Sequence, residues 1–337
     1  MTNLFSLYKS KLPYLIPISL ILGLVVLTKS EVFIINSGKL SSAVIIDLVL
    51  IIPLIHLFLI RNKPQPKITI VPFFILGIVV ASNIIPTEHK ALLDYVIYYL
   101  LPVVELTVFC IIVYKLNQLI KLFKSHRKSY DFFSALNLSA QEIIPVKMAT
   151  SVATEISVIY YGFIKWKKQP LKYNEFSMSK GNGIIAVLGV IIFLIAIETF
   201  ALHLILEKNY PILALVLGVI SIYSAFQIWG MLKSLIHRKT ELLDNKLHLK
   251  YGVISETIIQ YDNISHIELN NKSLGEDSEI KKLSPFNELD SHCVVIHLKD
   301  NIVINSIYGF KKEAKSIAFY IGNKEYFVNQ LKSKLIN

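Results

Sequence analysis

The sequence predicts a polytopic α-helical membrane protein, with about six transmembrane helices, followed by a C-terminal α+β domain rich in strands on the cytoplasmic side. Three observations carry this. Of the 337 residues, 53% are hydrophobic and only 18% charged, where a soluble chain carries about 25% charged residues. The apolar residues gather into six runs long enough to cross about 30 Å of hydrocarbon. Beyond Arg238 the apolar spacing changes to two, the period of a strand.

The apolar runs cover 12–28, 43–60, 68–86, 91–114, 183–206 and 211–235. The first is the shortest. Lys9 and Lys11 precede it as in a signal peptide, but no small-x-small cleavage pattern follows at Leu27–Lys29, so it reads as an uncleaved span. Pro17, Pro53, Pro72 and Pro102 fall within spans and are expected to kink them, the freed carbonyls being taken up by neighbouring helices and Ser/Thr side chains. Pro211 opens the sixth span, where a missing N–H does no harm.

Orientation follows from the cations. With the N-terminus inside, the outer loops hold only Lys29, Lys39, Lys90 and Lys208, which leaves 31 of the 35 Lys and Arg inside. Both termini are then cytoplasmic. The chain is rich in Lys, Ile and Asn and has three arginines, Arg61, Arg127 and Arg238. That composition points to an AT-rich bacterial genome, and with the spans to the bacterial cytoplasmic membrane. The net charge of +11 fits positive-inside loops. No zinc-finger spacing or basic module interleaved with aromatics accompanies it, which argues against nucleic acid. Cys110 and Cys293 form no CxxC, so neither a disulfide framework nor a cysteine zinc site is expected.

The chain divides into spans one to four (1–114), a cytoplasmic amphipathic segment (115–182), spans five and six (183–236) and the soluble domain (237–337). Lys115–Lys128 extends span four as a basic amphipathic helix. In 146–166, Ala149, Val152, Ala153, Ile156, Ile159, Tyr160, Phe163 and Trp166 follow a 3.6 period, with Lys147, Ser151, Thr154 and Glu155 opposite. This reads as an amphipathic helix in the inner interface, Glu155 on its solvated side. The alternative is a seventh, re-entrant or spanning helix.

In the soluble domain 246–252 alternates as a strand, as do 258–261, 264–269, 294–298 and 302–307. Gly252 is the expected turn between the first two strands, and Asp300-Asn301 a tight hairpin. Residues 271–290 read as a mobile polar loop, and 311–335 carries helical spacing throughout. The four histidines His248, His266, His292 and His297 read as scattered by alternation rather than clustered.

Ionisable residues inside spans cost on the order of 3 kcal/mol or more and are functional candidates by default. They are Asp47, His56, Asp94, Glu105, Glu198 and His203, with Gln227 as a polar companion. The topology sends Asp47, Asp94, Glu198 and His203 towards the outer leaflet. Asp94, Tyr98 and Glu105 share one helix face, expected to point into the bundle. Three chemistries fit: a divalent metal held by Asp47, Asp94, Glu198 and His203; a proton or ion relay through Asp94, Glu105 and Glu198; or a polar cavity for an amphiphile. The catalytic candidates are Glu105, Glu198 and His203. Against these stands the plainer reading in which Asp47, Asp94 and His203 simply reach interfacial water.

The strings LHLKYGVI (247–254) and IIQYDNI (258–264) resemble bacterial PH-like domains found beside membrane spans. That resemblance covers about a hundred residues, and implies a scaffold or self-association module. IETFALH (197–203) and EISVIYYG (155–162) resemble segments of a group of bacterial multi-span membrane proteins, some labelled β-carotene monooxygenase-like. The carotene-cleaving family evoked by that label holds iron with several intramembrane histidines, whereas here only His56 and His203 lie within spans.

No P-loop, GxGxxG, GxSxG or HExxH occurs, which argues against nucleotide-driven transport and common hydrolase chemistry. The leading expectation is therefore a non-catalytic, accessory membrane protein. It would bind membrane lipid or a hydrophobic ligand, and pair with a protein or with itself through 237–337. A membrane-embedded, metal-dependent enzyme on a lipid or carotenoid is the alternative, and a secondary transporter the third.

Overall fold

The computed structural model describes residues 2–63, 65–270, 280–286 and 289–336. It divides into two compact units, 1–116 and 117–337. Among the described residues five helical stretches are long and apolar enough to cross a membrane: 37–60, 67–84, 91–126, 184–206 and 211–237. The first expected run appears as a shorter apolar stretch, 12–27.

The first unit is helical. It comprises α1 (Thr2–Leu27), α2 (Glu31–Ile35), α3 (Ser37–Ile46), α4 (Ile52–Ile60), α5 (Ile70–Ile84), α6 (Ala91–Tyr95) and the start of α7 (Leu101–His126). Two π-turns, Asp47–Ile51 and Val96–Leu100, join α3 to α4 and α6 to α7. Each stands just before a proline. Pro53 would clash with the carbonyl four residues back. The chain widens by one residue instead, and Ile52 N–H donates to Asp47 O. At Pro102, Leu101 N–H likewise donates to Val96 O. Pro72 lies in the first turn of α5, where N–H groups have no helical partner, so it starts a helix rather than kinking one. Ile45, Leu48, Ile52, Phe73, Phe74, Ile78 and Leu93 form the core. A Cβ at Gly77 would lie 2.2 Å from the Leu48 carbonyl oxygen, so glycine alone lets α5 lie against the π-turn.

The second unit holds α8 (Phe132–Gln141), α9 (Val146–Ile159, continued by a π-turn at Tyr160–Ile164), α10 (Ile184–Leu206) and α11 (Pro211–His237). Its strands are β1 (Glu175–Phe176), β2 (Thr240–Leu242), β3 (Lys246–Tyr251), β4 (Ser255–Gln260), β5 (Ile264–Glu268), β6 (Ile280–Lys282), β7 (Val294–Ser306) and β8 (Lys311–Phe319), and α12 (Lys324–Ile336) closes the chain. The sheet order is β1-β2-β3-β4-β7-β8-β6, with β5 also on β7. All pairs are antiparallel except β6 with β8. The core takes Leu247, Leu249 and Tyr251 from alternate positions of β3, Phe327 and Leu331 from α12, and Ile184, Leu188, Leu232 and Leu235 from the helical hairpin. The hairpin is thus rooted in the β-domain by the start of α10 and the end of α11. Beyond the root it exposes Phe193, Ile197, Phe200, Leu204, Ile212, Leu215, Val219 and Ile222. A soluble protein rarely exposes so continuous an apolar surface.

Four expectations change. Asp300-Asn301 is no hairpin turn but a bulge in the continuous strand β7, between His297 and Ile302. Asn263 holds it by accepting from Asp300 N–H (2.8 Å) and donating to Asp300 O (3.2 Å). Residues 311–319 are strand rather than helix, because β8 lies between β7 and β6 and both flanks bond it. Of the expected loop 271–290, residues 271–279 and 287–288 lie outside the described residues, while 280–282 form β6. His266 and His297 are not scattered: they face each other across β5 and β7. Gly252 does turn the chain between β3 and β4, at φ +53°.

The helix at 146–164 buries one face and exposes an apolar one. Ala149, Ala153, Thr154, Ser157 and Tyr161 are buried, while Met148, Val152, Ile156, Ile159 and Phe163 form an exposed stripe at spacings of four, four, three and four. Small residues allow close approach: a Cβ on Gly230 of α11 would lie 2.5 Å from the Val158 carbonyl oxygen.

Candidate functional site

The intramembrane candidates of the first unit meet different fates. His56 is fully buried, its Nδ1 3.0 Å from the Pro13 carbonyl and its Nε2 3.0 Å from Thr69 Oγ1. Pro17 has no N–H to offer the carbonyl four residues back, so His56 satisfies the acceptor that proline orphans. Asp47 is half-buried at the head of its π-turn. Asp94, Tyr98 and Glu105 are exposed, against the expectation of an inward stripe. The inward face is instead Leu93, Val96, Leu101 and Val104. The π-turn sets Val96 and Leu101 five positions apart instead of four, and this keeps the apolar side inward.

In the second unit Glu198 and His203 lie exposed on α10, and His203 Nε2 is 3.8 Å from Glu207 Oε2. Among the described residues, none of Asp47, Asp94, Glu198 and His203 belongs to a group of three or more His, Cys, Asp or Glu close enough to share an ion. Gln227 does find a partner. It donates to Glu155, which also accepts from Tyr223 OH (3.0 Å) and Tyr308 OH (3.1 Å). Glu155 is half-exposed and ties α9 to α11 and to the turn after β7.

The densest charge cluster lies where α8, the end of α11 and the first strands meet. Asp131 caps α8, accepting from Ser134 N–H. It also takes Arg238 Nε at 3.0 Å and Lys250 Nζ at 3.0 Å. Arg238 reaches Glu256 at 2.6 Å, donates to the Gly252 carbonyl and stacks its guanidinium over Phe133. Lys250 also pairs with Glu241 at 2.7 Å. The Arg238 and Lys250 side chains are almost wholly enclosed. Burial pushes the carboxyls of Asp131 and Glu256 up, but their partners outweigh it. Arg238 and Lys250 hold Asp131 well below the usual carboxylate range. Arg238 and His248 bring Glu256 to about 2.

Beside this network opens a cavity of about 390 Å³. Six cations line it, Arg127, Lys128, Lys165, Lys172, Arg238 and Lys239, against three carboxylates, Asp131, Glu175 and Glu241. The carboxylates are already engaged, Asp131 and Glu241 as above and Glu175 with Lys172 at 3.7 Å. Arg127, Lys128, Lys165 and Lys239 have no carboxylate within 4 Å among the described residues. Burial lowers the pKa of Lys165, and Arg127 lowers it further; burial also lowers that of Lys239. On the wall, His237 Nε2 is buried with no hydrogen-bond partner. The arrangement is a concave, positively charged site with spare donors, suited to an anion. A larger, more open groove of about 650 Å³ runs from Ser291 to Tyr326, but its Lys324 is matched by Glu325 and gives no charge bias.

The sequence alone did not single out Arg238, Lys239 or Asp131 as site residues. One signal existed: two of only three arginines, Arg127 and Arg238, line this cavity. In a lysine-dominated chain, an arginine marks a place where a fork of fixed donors is needed. No protein family, curated protein or solved structure matches this chain.

Proposed function

We propose that this is an integral protein of the bacterial cytoplasmic membrane that binds the anionic headgroup of a membrane lipid where its cytoplasmic segment 127–175 meets the start of its PH-like domain. The observation that carries the reading is the cavity of Arg127, Lys128, Lys165 and Lys239, with its surplus of cations and the bare Nε2 of His237. Its position supports a lipid over a soluble anion. Lys165 directly follows the apolar stripe of α9. Lys233 lies over the rings of Trp166 and Trp229, at 4.8 and 5.6 Å. Tryptophan with lysine is the usual composition of a membrane interface. The exposed stripe from Met148 to Phe163 then lies in the headgroup layer with acyl chains beneath it, as expected of an interfacial helix. The opposite side of the helix meets the β-domain, with Lys147 against Gly309 and Glu155 on Tyr308. The bias of cations to one side supports cytoplasmic termini.

The test is a thermal-shift titration of detergent-purified protein with short-chain phosphatidylglycerol, phosphatidylcholine or inorganic phosphate. Phosphatidylglycerol should raise the melting temperature, phosphatidylcholine should not, and Lys165→Ala/Lys239→Ala should lose the response. Equal response to both lipids, or an unchanged response in the double variant, would overturn the reading. Stabilisation by inorganic phosphate alone would assign the cavity to a soluble anion instead.

A further inference from the structure

We propose that His266, Glu268 and His297 form a binding site for a divalent transition-metal ion on the β5–β7 ladder. The strand geometry assembles it. His266 and Glu268 are two apart on β5 and so share one face of the sheet, and His297 is the registered partner of His266 on β7. The two imidazoles stack with centroids 4.1 Å apart and planes 10° apart. His297 Nε2 lies 3.5 Å from Glu268 Oε2. One donor atom from each residue falls within 4.8 Å of the other two. Ligands at about 2.0–2.1 Å around tetrahedral zinc stand roughly 3.3 Å from each other, so small side-chain rotations close this triad on an ion.

The outer support is also present. His297 Nδ1 is 2.9 Å from Ser316 Oγ on β8, its registered neighbour on the other side. A bond at Nδ1 fixes the ring and leaves Nε2 for the metal, the arrangement that tunes metal-bound histidines. That Nε2 is buried and makes no hydrogen bond. An imidazole nitrogen held in place beside a carboxylate and a second imidazole, with no hydrogen bond of its own, leaves its lone pair free for a metal ion. Two imidazoles and one carboxylate suit zinc and neighbouring divalent ions. Three protein ligands leave a coordination position open, to water or to a group from another molecule. The triad shares no residue with the basic cavity, so it stands apart from the lipid reading.

The experiment uses the full chain in detergent, free of any affinity tag and stripped with chelator, titrated with Zn²⁺ by calorimetry and with Co²⁺ by visible absorption. The expected result is one equivalent bound, with cobalt d–d bands of a low-coordinate site. His297→Ala and His266→Ala should weaken binding by more than roughly 100-fold, and Ser316→Ala, which removes only the support, by roughly 10-fold. Glu268→Gln changes one exposed side chain on a surface strand, so its loss of affinity is read on a folded protein. No binding by the wild-type chain, or wild-type affinity in His266→Ala and Glu268→Gln, would overturn the proposal.

Discussion

The two compact units handle buried polar chemistry in opposite ways. In 1–116 the buried His56 serves the backbone: it occupies the Pro13 carbonyl left open by Pro17. The charged side chains are left outside, as Asp94 and Glu105 show. In 117–337 the charges are drawn in: Arg238, Lys250, Asp131 and Glu256 interlock, and surplus cations ring a cavity beside them. A polar residue within an apolar helix is thus weak evidence of a site when a proline sits one turn from its partner. A cation surplus beside a saturated ion network is stronger evidence, because no carboxylate among the described residues pairs with it.

Each side of that contrast can be broken. The largest effect is expected at Arg238. Arg238→Met leaves Asp131 and Glu256 buried without their main partner, at a cost of about 3–5 kcal/mol. Chemical denaturation should show 117–337 destabilised by that amount; a loss below about 1 kcal/mol would mean that the network is solvated. His56→Leu keeps the volume but strands the Pro13 carbonyl, at a cost of about 1–3 kcal/mol. The variant should melt earlier while anionic-lipid binding is unchanged, and a lost lipid response would tie His56 to function after all.

The pH dependence sharpens the same point. The folded pKa of Glu256 is depressed to about 2, and Asp131 lies well below its ordinary value. Groups with depressed values stabilise the fold above the unfolded carboxylate pKa of about 4 and lose that contribution as pH falls through the folded value. The contribution of these two carboxylates should therefore be lost steadily as pH falls from about 5 towards 2, and the melting temperature should fall with it. In Arg238→Met that acid slope should flatten, which denaturation at stepped pH would show. The smallest effect is at the bulge in β7. Asn263→Ala removes two hydrogen bonds to Asp300 at a half-exposed site and should cost about 1 kcal/mol.

The positions of the apolar helices were legible because length and hydropathy decide them locally. Their internal geometry was not. A proline announces a disturbance, but only the structure shows it absorbed as a wide turn at 47–51 and 96–100. In the β-domain, Gly252 was readable because a tight turn needs its positive φ. Asp300-Asn301 misled because its hairpin chemistry is overridden by Asn263, 37 residues away. The spacing of Ala314, Ile317 and Ala318 fits a helix equally well until β6 and β7 take both flanks. The ion network and the histidine pair were invisible for one reason: Asp131 and Arg238 are 107 residues apart, and His266 meets His297 only through strand register. One chain read alone contains no signal for such pairings.

The most direct test of the central claim is mass spectrometry of the lipid that co-purifies with the full chain from its membrane. Wild-type protein should carry phospholipid with an anionic headgroup, enriched over the bulk membrane, and Lys165→Ala/Lys239→Ala should lose that enrichment while keeping its melting temperature. The same lipid profile in both proteins, matching the bulk membrane, would contradict a headgroup site in this cavity.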